Sequence, residues 1–204
     1  VKMVQKIGGA LWHMGRQVSS IGFKAPEFEA GFFIDILAPG FIYVNRYGKR
    51  FVNENDVEPH DLDRVCREFD NLHHYEYTRI PFWAIFDEEV RKIGPLNLSI
   101  CGYNIVMNKY NWSADNSAEI SKGWIIKANS IAELAKKISI DASVLEETIS
   151  GYNGFCKAGN DADFGRKKEA LKAIGGPPFY ALRLGPVLIN TQGGACSDAE
   201  SRIL

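Results

Sequence analysis

The sequence lacks any long apolar run. The longest unbroken one, Ile80 to Phe86, contains Pro81 and is far too short to span a bilayer, which takes about 20 apolar residues. It also lacks an excess of either charge, with 24 Lys and Arg against 25 Asp and Glu and a formal net charge of −1. Binding nucleic acid by counterion release calls for a strong positive balance, so that class is disfavoured. Cysteines are sparse: Cys66, Cys101, Cys156 and Cys196 are widely and irregularly spaced, with no C-x-x-C. That pattern argues against a disulfide framework and for reduced, buried thiols. G-x-G-x-x-G, the P-loop, H-E-x-x-H and G-x-S-x-G are all missing, so no dinucleotide fingerprint, phosphate cradle, zincin helix or nucleophile elbow is expected within these residues. The adjacent His73 and His74 would point about 100° apart on a helix, a poor geometry for sharing a metal, and no metal site is expected. His13, beside Trp12, reads as a packed, hydrogen-bonded histidine. The two glycosylation sequons, Asn97-Leu98-Ser99 and Asn111-Trp112-Ser113, carry no support from an export signal.

What is present is ordinary globular material: 204 residues, 46% apolar and 24% charged, enough chain to bury a real core. There is no initiator Met, basic n-region or small-residue cleavage site, and the chain closes on Arg202-Ile203-Leu204. Both ends read as cuts in a longer protein. The absence of a targeting segment favours cytoplasm over periplasm and leaves the compartment open.

Apolar spacing at Val4, Ile7, Leu11 and Met14 predicts an opening amphipathic helix, with Gly8-Gly9 inside it and Gly15 as its stop. Residues 31–53 read as β. Phe41 to Val44 is a strand, Asn45-Arg46-Tyr47-Gly48 a tight turn, and Arg50-Phe51-Val52 the returning partner of a hairpin. A second helix is expected over 60–74, a strand over 82–86, and a short helix capped by Asp87 and ended by Gly94-Pro95. Residues 96–121 read as loop. Trp124 to Lys127 is a strand. Ser130 and Glu133 form a capping box, and Asp141 caps a further helix stopped by Gly159. Lys167 to Ala173 reads as a weak helix. Two separate strands follow, Phe179 to Leu184 and Val187 to Ile189, with Gly193-Gly194 as a turn or a close backbone approach.

Arg50, Glu54, Asp56, Glu58, His60, Asp61, Asp63 and Arg64 form a dense charged stretch. It reads first as a solvated connection into a helix, with carboxylates favoured at the helix N-terminus. The competing reading is a loop that reaches into a cleft.

Val44-Asn45-Arg46-Tyr47-Gly48-Lys49-Arg50-Phe51-Val52-Asn53-Glu54 resembles the V-N-x-x-G-K-R-F-x-N-E signature of the FAD-dependent fumarate reductase/succinate dehydrogenase flavoprotein superfamily. Four further segments agree in order. Val1 to Met14 resembles the helix after the family's T-G-D-G flavin turn. Ile131 to Ala135, Leu145 to Thr148 and Tyr152 to Phe155 resemble the capping-domain helix pair. Asp161 to Arg166 resembles the D-x-D-F-x-R turn. Pro178 to Ala181 with Asn190-Thr191-Gln192-Gly193-Gly194 resembles the return into the flavin domain.

The resemblance implies an α+β fold, a small mostly antiparallel sheet flanked by helices, with short flavin-domain remnants at both ends. It implies residues 1–30 as flavin-domain remnant and linker, 31–176 as the capping, substrate-binding domain, and 177–204 as return strands of the flavin-binding domain. The cofactor would be FAD, with the ADP-binding half outside this chain. The family's reaction is hydride transfer between flavin and an activated C–C bond. It needs groups that polarise the activating carbonyl or carboxylate and a proton donor opposite the flavin. Thr191, Gln192, Gly193 and Gly194 would lie near the flavin ring. Asn190, which stands where the family has a histidine, would hydrogen-bond substrate, and His60 would serve as proton donor. The arginine that serves fumarate reductases as acid matches a position near Glu58 here, and the nearest arginine is Arg64. Those two departures leave a related reductase or dehydrogenase acting on another activated alkene, such as a larger ring substrate or an enoate. The implied partners are that small molecule and the remainder of the flavin-binding domain, with no nucleic acid and no membrane span. The fragment alone would be inactive. The competing reading is a non-catalytic ligand-binding or interaction module of flavoprotein descent, using the apolar face of Val4, Ile7, Leu11 and Met14 for association.

Overall fold

The computed structural model describes residues 1–15, 17–96 and 110–204. Its centre is a single long strand, β7 (Phe179–Thr191), on which the other main strands assemble: β2 (Gln17–Phe23), β5 (Phe82–Asp87) and β6 (Ile125–Ala128) all pair with it antiparallel. β4 (Phe41–Val44) extends the sheet beyond β5, and β3 (Phe32–Phe33) extends it beyond β2. A separate ribbon joins β1 (Leu11–Trp12) to β8 (Gly194–Ala195). The α+β class and the antiparallel sheet are as expected.

The sheet is apolar on both faces, which is why its strands read as unbroken apolar runs. Side chains alternate across a strand. Phe41, Tyr43, Phe82, Ala84, Phe86, Tyr180, Leu182 and Leu184 enter one core, and Ile42, Val44, Ile85, Phe179 and Ala181 enter the other. The first core is closed by Leu62 and Cys66 of α2 (Pro59–Cys66), Val90 of α3 (Glu88–Ile93), and an aromatic group that includes Phe23, Phe32 and Trp124. The second is closed by α5 (Ile131–Lys137) and α6 (Ala142–Ala158) through Leu134, Ala135, Leu145, Ile149 and Tyr152.

The capped helices form as expected because their signals are local. Ser130 Oγ accepts from Glu133 N at 3.1 Å, and Glu133 Oε2 accepts from Asn129 N at 2.8 Å. Asp141 Oδ1 accepts from Ser143 N and Val144 N, and Gly159 ends α6 at φ 67°, in the left-handed region that glycine enters freely. Asp87 Oδ1 caps α3, and its Oδ2 accepts from Gly175 N at 2.7 Å, so one carboxylate serves a helix end and a turn 88 residues away.

Elsewhere tertiary structure overrides the pattern. The opening helix, α1, covers Lys2–Lys6 only, because Gly8 turns the chain at φ 85° and the next residues pair as β1. The expected return strand 50–52 makes one bridge, Val44 to Arg50, because side chains meet the outer edge of β4 instead: Tyr43 N donates to Glu54 Oε1 and Phe41 O accepts from Arg166 Nη1. The second helix stops at Cys66. Beyond it Asp70 bridges Glu76, leaving Phe69 and Leu72 exposed. Lys167 to Ala173 contains only a 3-10 turn, Lys168–Ala170. The two strands expected over 179–189 are one, with Gly185 and Pro186 inside it opposite Gly22 and Ile21. Of the loop expected over 96–121, residues 97–109 lie outside the described residues. Its end carries α4 (Ser117–Ser121).

Candidate functional site

Two polar assemblies stand out. The first joins the segment 49–54 to the turn 161–166. Arg50 Nε and Nη2 donate to Glu54 Oε1 and Oε2, both at 2.8 Å, while Nη1 and Nη2 donate to Asp161 Oδ1 and Oδ2 at 3.1 and 2.8 Å. Arg166 Nη1 donates to Phe41 O at 2.7 Å and to Glu54 Oε2 at 3.4 Å. Glu54 Oε1 also accepts from Tyr43 N at 3.0 Å. The Arg50 side chain is 5% exposed, and those of Glu54, Asp161 and Arg166 are 0% exposed. Arg50 lies over the rings of Tyr152 and Phe164, and Arg166 over Phe41 and Tyr152. Burial alone would raise the Asp161 carboxyl. The hydrogen bonds and charge of Arg50, with the backbone N–H groups of Phe164 and Arg166, outweigh it and hold the group below its ordinary value. Two carboxylates and two guanidiniums thus neutralise each other inside the fold, as buried charges must. The signature residues Arg50 and Glu54 are not solvated: they clamp the 49–54 segment in place, and Arg50 also lines a groove of about 280 Å³ with Lys49, Glu147, Tyr152 and Phe164.

The second assembly is the exposed end of β7. Register pairs Gln17 with Thr191 and Val18 with Asn190, and a bulge follows between Val18 and Ser19. Asn190, Thr191 and Gln192 are exposed, and Gln192 Nε2 donates to Asn190 Oδ1 at 3.1 Å. On the neighbouring strand Gln17 Nε2 donates to Ser19 Oγ at 3.3 Å. Gly193 is held against the chain itself: an added Cβ would stand 2.6 Å from His13 O and 2.7 Å from Met14 Cα. At Gly194 the same position opens on empty space. Asn190, Thr191, Gln192, Gly193 and Gly194 are therefore brought together, and the close backbone approach expected of the glycine pair is made by Gly193 to residues 13–14. His60 is the second residue of α2, the helix packed against β2 and β7. His73 and His74 are exposed, and His13 stacks on Trp12 with ring centroids 4.4 Å apart.

Sequence reasoning did not single out Gln17 and Ser19. No motif marks them: the register of β2 on β7 sets Gln17 opposite Thr191, and Ser19, opposite Leu188, joins it through the hydrogen bond from Gln17. Among the described residues no cluster of His, Cys, Asp and Glu could hold a metal ion, and no helix is long and apolar enough to cross a membrane.

The amide and hydroxyl groups at this end can both donate and accept hydrogen bonds. Asn190 Nδ2 and Gln192 Oε1 stay outside their mutual hydrogen bond. The chain carries no G-x-G-x-x-G, the usual pyrophosphate-binding turn.

The family described as FAD binding domain matches residues 24–204. The chain is 33% identical over 165 residues to NADH:acrylate oxidoreductase of Vibrio harveyi, covering 80% of this chain and 14% of that protein. It is 30% identical over 227 residues to 3-oxosteroid 1-dehydrogenase of Mycolicibacterium smegmatis, covering 98% of this chain and 36% of that protein. The fold matches the crystal structure of 3-ketosteroid delta1-dehydrogenase from Sterolibacterium denitrificans with a TM-score of 0.73 at 23% identity, over 100% of this chain and 37% of that one. The chain thus spans little more than a third, or less, of each of these three proteins. It belongs to the FAD binding domain family, among the flavoproteins of the fumarate reductase/succinate dehydrogenase type.

Proposed function

We propose that this chain is the substrate-capping part of an FAD-dependent oxidoreductase that moves hydride between flavin and an activated C–C bond. Residues 31–176 would be the cap, with residues 1–30 and 177–204 belonging to the flavin-binding domain. The observation that carries the reading is the exposed amide end of β7, Asn190 to Gln192, backed by Gly193 against His13 and Met14.

Bound flavin would supply hydride transfer at its N5. The chain's own residues would do the rest. Thr191, Gln192 and the 193–194 backbone hold and orient the ring edge. Asn190 donates a hydrogen bond to the oxygen that activates the substrate alkene, which an amide does without gaining or losing a proton. His60 gives the proton to the carbon opposite the hydride, a role its ordinary pKa suits. The buried Arg50–Glu54–Asp161–Arg166 quartet fixes the segment that leads into α2. An uncharged amide at 190 favours an enone or enoate over a C4-dicarboxylate. The exposed apolar residues Met3, Ile7, Leu188 and Leu204 would be covered by the remainder of the flavin domain.

The test uses the complete gene product that contains this chain. Its anaerobically reduced flavin should be reoxidised faster by an enone or enoate than by fumarate. Asn190→Ala should lower kcat/KM about 10²-fold, and His60→Gln should remove one limb of the pH–rate profile. An enzyme with no bound flavin, or with activity indifferent to Asn190, overturns the proposal. The 204-residue chain alone should not bind FAD stoichiometrically. If it does, the assignment of the missing half is wrong.

A further inference from the structure

Arg183 is exposed on β7 opposite Trp83 of β5. Phe179 and Ala181, on the same face, are roofed by α5 and α6, and Arg183 lies where that roof ends. Among the described residues its side chain has no hydrogen-bond or ion-pair partner. It lines a groove of about 230 Å³ with Lys24, Ile80, Pro81, Gly185 and Val187. The Lys24 ammonium donates only to the carbonyl oxygens of Ala25 and Phe28. No acidic residue lines the groove, although Asp and Glu outnumber Lys and Arg in the chain. Gly185 leaves open space where a Cβ would stand, so the floor there is bare backbone.

Apolar walls with a few convergent polar groups are the usual make-up of a small-molecule site. An unpaired guanidinium presents a planar fork matched to a carboxylate. We propose that this groove binds a small organic carboxylate. Its apolar body rests on Ile80, Pro81 and Val187, Arg183 takes the carboxylate bidentately, and Lys24 is a second cation at the rim. Arg183 is seven residues from Asn190 along β7, about 23 Å at 3.3 Å per residue. The groove is therefore a site apart from the amide end, and its test does not depend on the flavin reading.

The experiment is an NMR titration of the ¹⁵N-labelled 204-residue chain with cyclohexanecarboxylate. Cyclohexanecarboxamide serves as the neutral isostere and inorganic phosphate as a bare anion. Saturable shifts are expected at the amides of Gly22, Lys24, Arg183 and Gly185. The response should weaken at least about tenfold, or 1.4 kcal/mol, in Arg183→Gln and vanish in Gly185→Val, which fills the floor. Both positions are open, so both variants should keep the wild-type spectrum elsewhere. The proposal is overturned by no saturable shift, by an equal response to the carboxamide, by equal affinity for phosphate, or by a response that survives Arg183→Gln.

Discussion

Arg50 and Asp161 stand 111 residues apart in sequence and meet side by side through two hydrogen bonds of 3.1 and 2.8 Å. With Glu54 and Arg166 they form a buried chain of alternating charge, Asp161–Arg50–Glu54–Arg166, which makes removal of one member far costlier than loss of a surface ion pair.

Glu54→Ala strips Arg166 of its carboxylate partner and leaves Tyr43 N without its acceptor. The expected loss is about 3–5 kcal/mol, read as a lower urea midpoint at unchanged m-value. Lys49→Ala, which breaks the exposed pair with Glu147, should cost no more than about 1 kcal/mol. Equal effects from the two variants would falsify the assignment of Glu54 to a structural chain of charges.

The two adjacent glycines should behave differently. A Cβ at position 193 collides with the backbone of His13 and Met14, whereas one at 194 meets open space. Gly193→Ala should destabilise by about 1–3 kcal/mol and speed amide exchange along Leu11–Trp12 and Gly194–Ala195. Gly194→Ala should leave exchange there unchanged.

Acid should act through Asp161 and Glu88. The Glu88 carboxyl is held down at about 2, chiefly by its hydrogen bonds from Arg91 and then by that from Tyr180. A carboxyl with a depressed native pKa binds fewer protons folded than unfolded, so its contribution is complete above the unfolded value and lost as pH falls toward the folded one. Stability should decline from about pH 4.5 toward about pH 2. In Glu88→Gln, urea midpoints measured over that range should fall less steeply.

Cys66 is fully buried, and burial, then the neighbouring Asp63, pushes its thiol up to about 12. With almost no thiolate at neutral pH it should resist iodoacetamide in the native protein and react after unfolding. Cys156 and Cys196 are only partly buried and should label first. Mass spectrometry of peptides quenched at intervals gives the order.

Where structure follows from neighbours in sequence, it was legible. Ser130, Asp141 and Gly159 each satisfy backbone groups within a few residues, so α5 and α6 could be bounded by inspection. Where partners are remote, it was not. Arg50 and Glu54 read as surface charge because Asp161 and Arg166, more than 100 residues away, bury them. Gly185 and Pro186 read as a break because only the pairing with β2 shows that the strand runs through them. The resemblance drew attention to Asn190 through Gly194, which run consecutively from the end of β7 into β8. Gln17 and Ser19 carry no motif and became visible only through strand register.

The central position of β7 also dictates an order of events during synthesis. β2, β5 and β6 each need residues 179–191 as their hydrogen-bonding partner, and those residues leave the ribosome after all three. Until then α5–α6 and the β4–β5 pair can form, but three strand edges stay bare, the condition in which nascent chains aggregate. Slowing translation should therefore do little to help this protein reach its native state. Shielding the nascent chain until β7 emerges should do more.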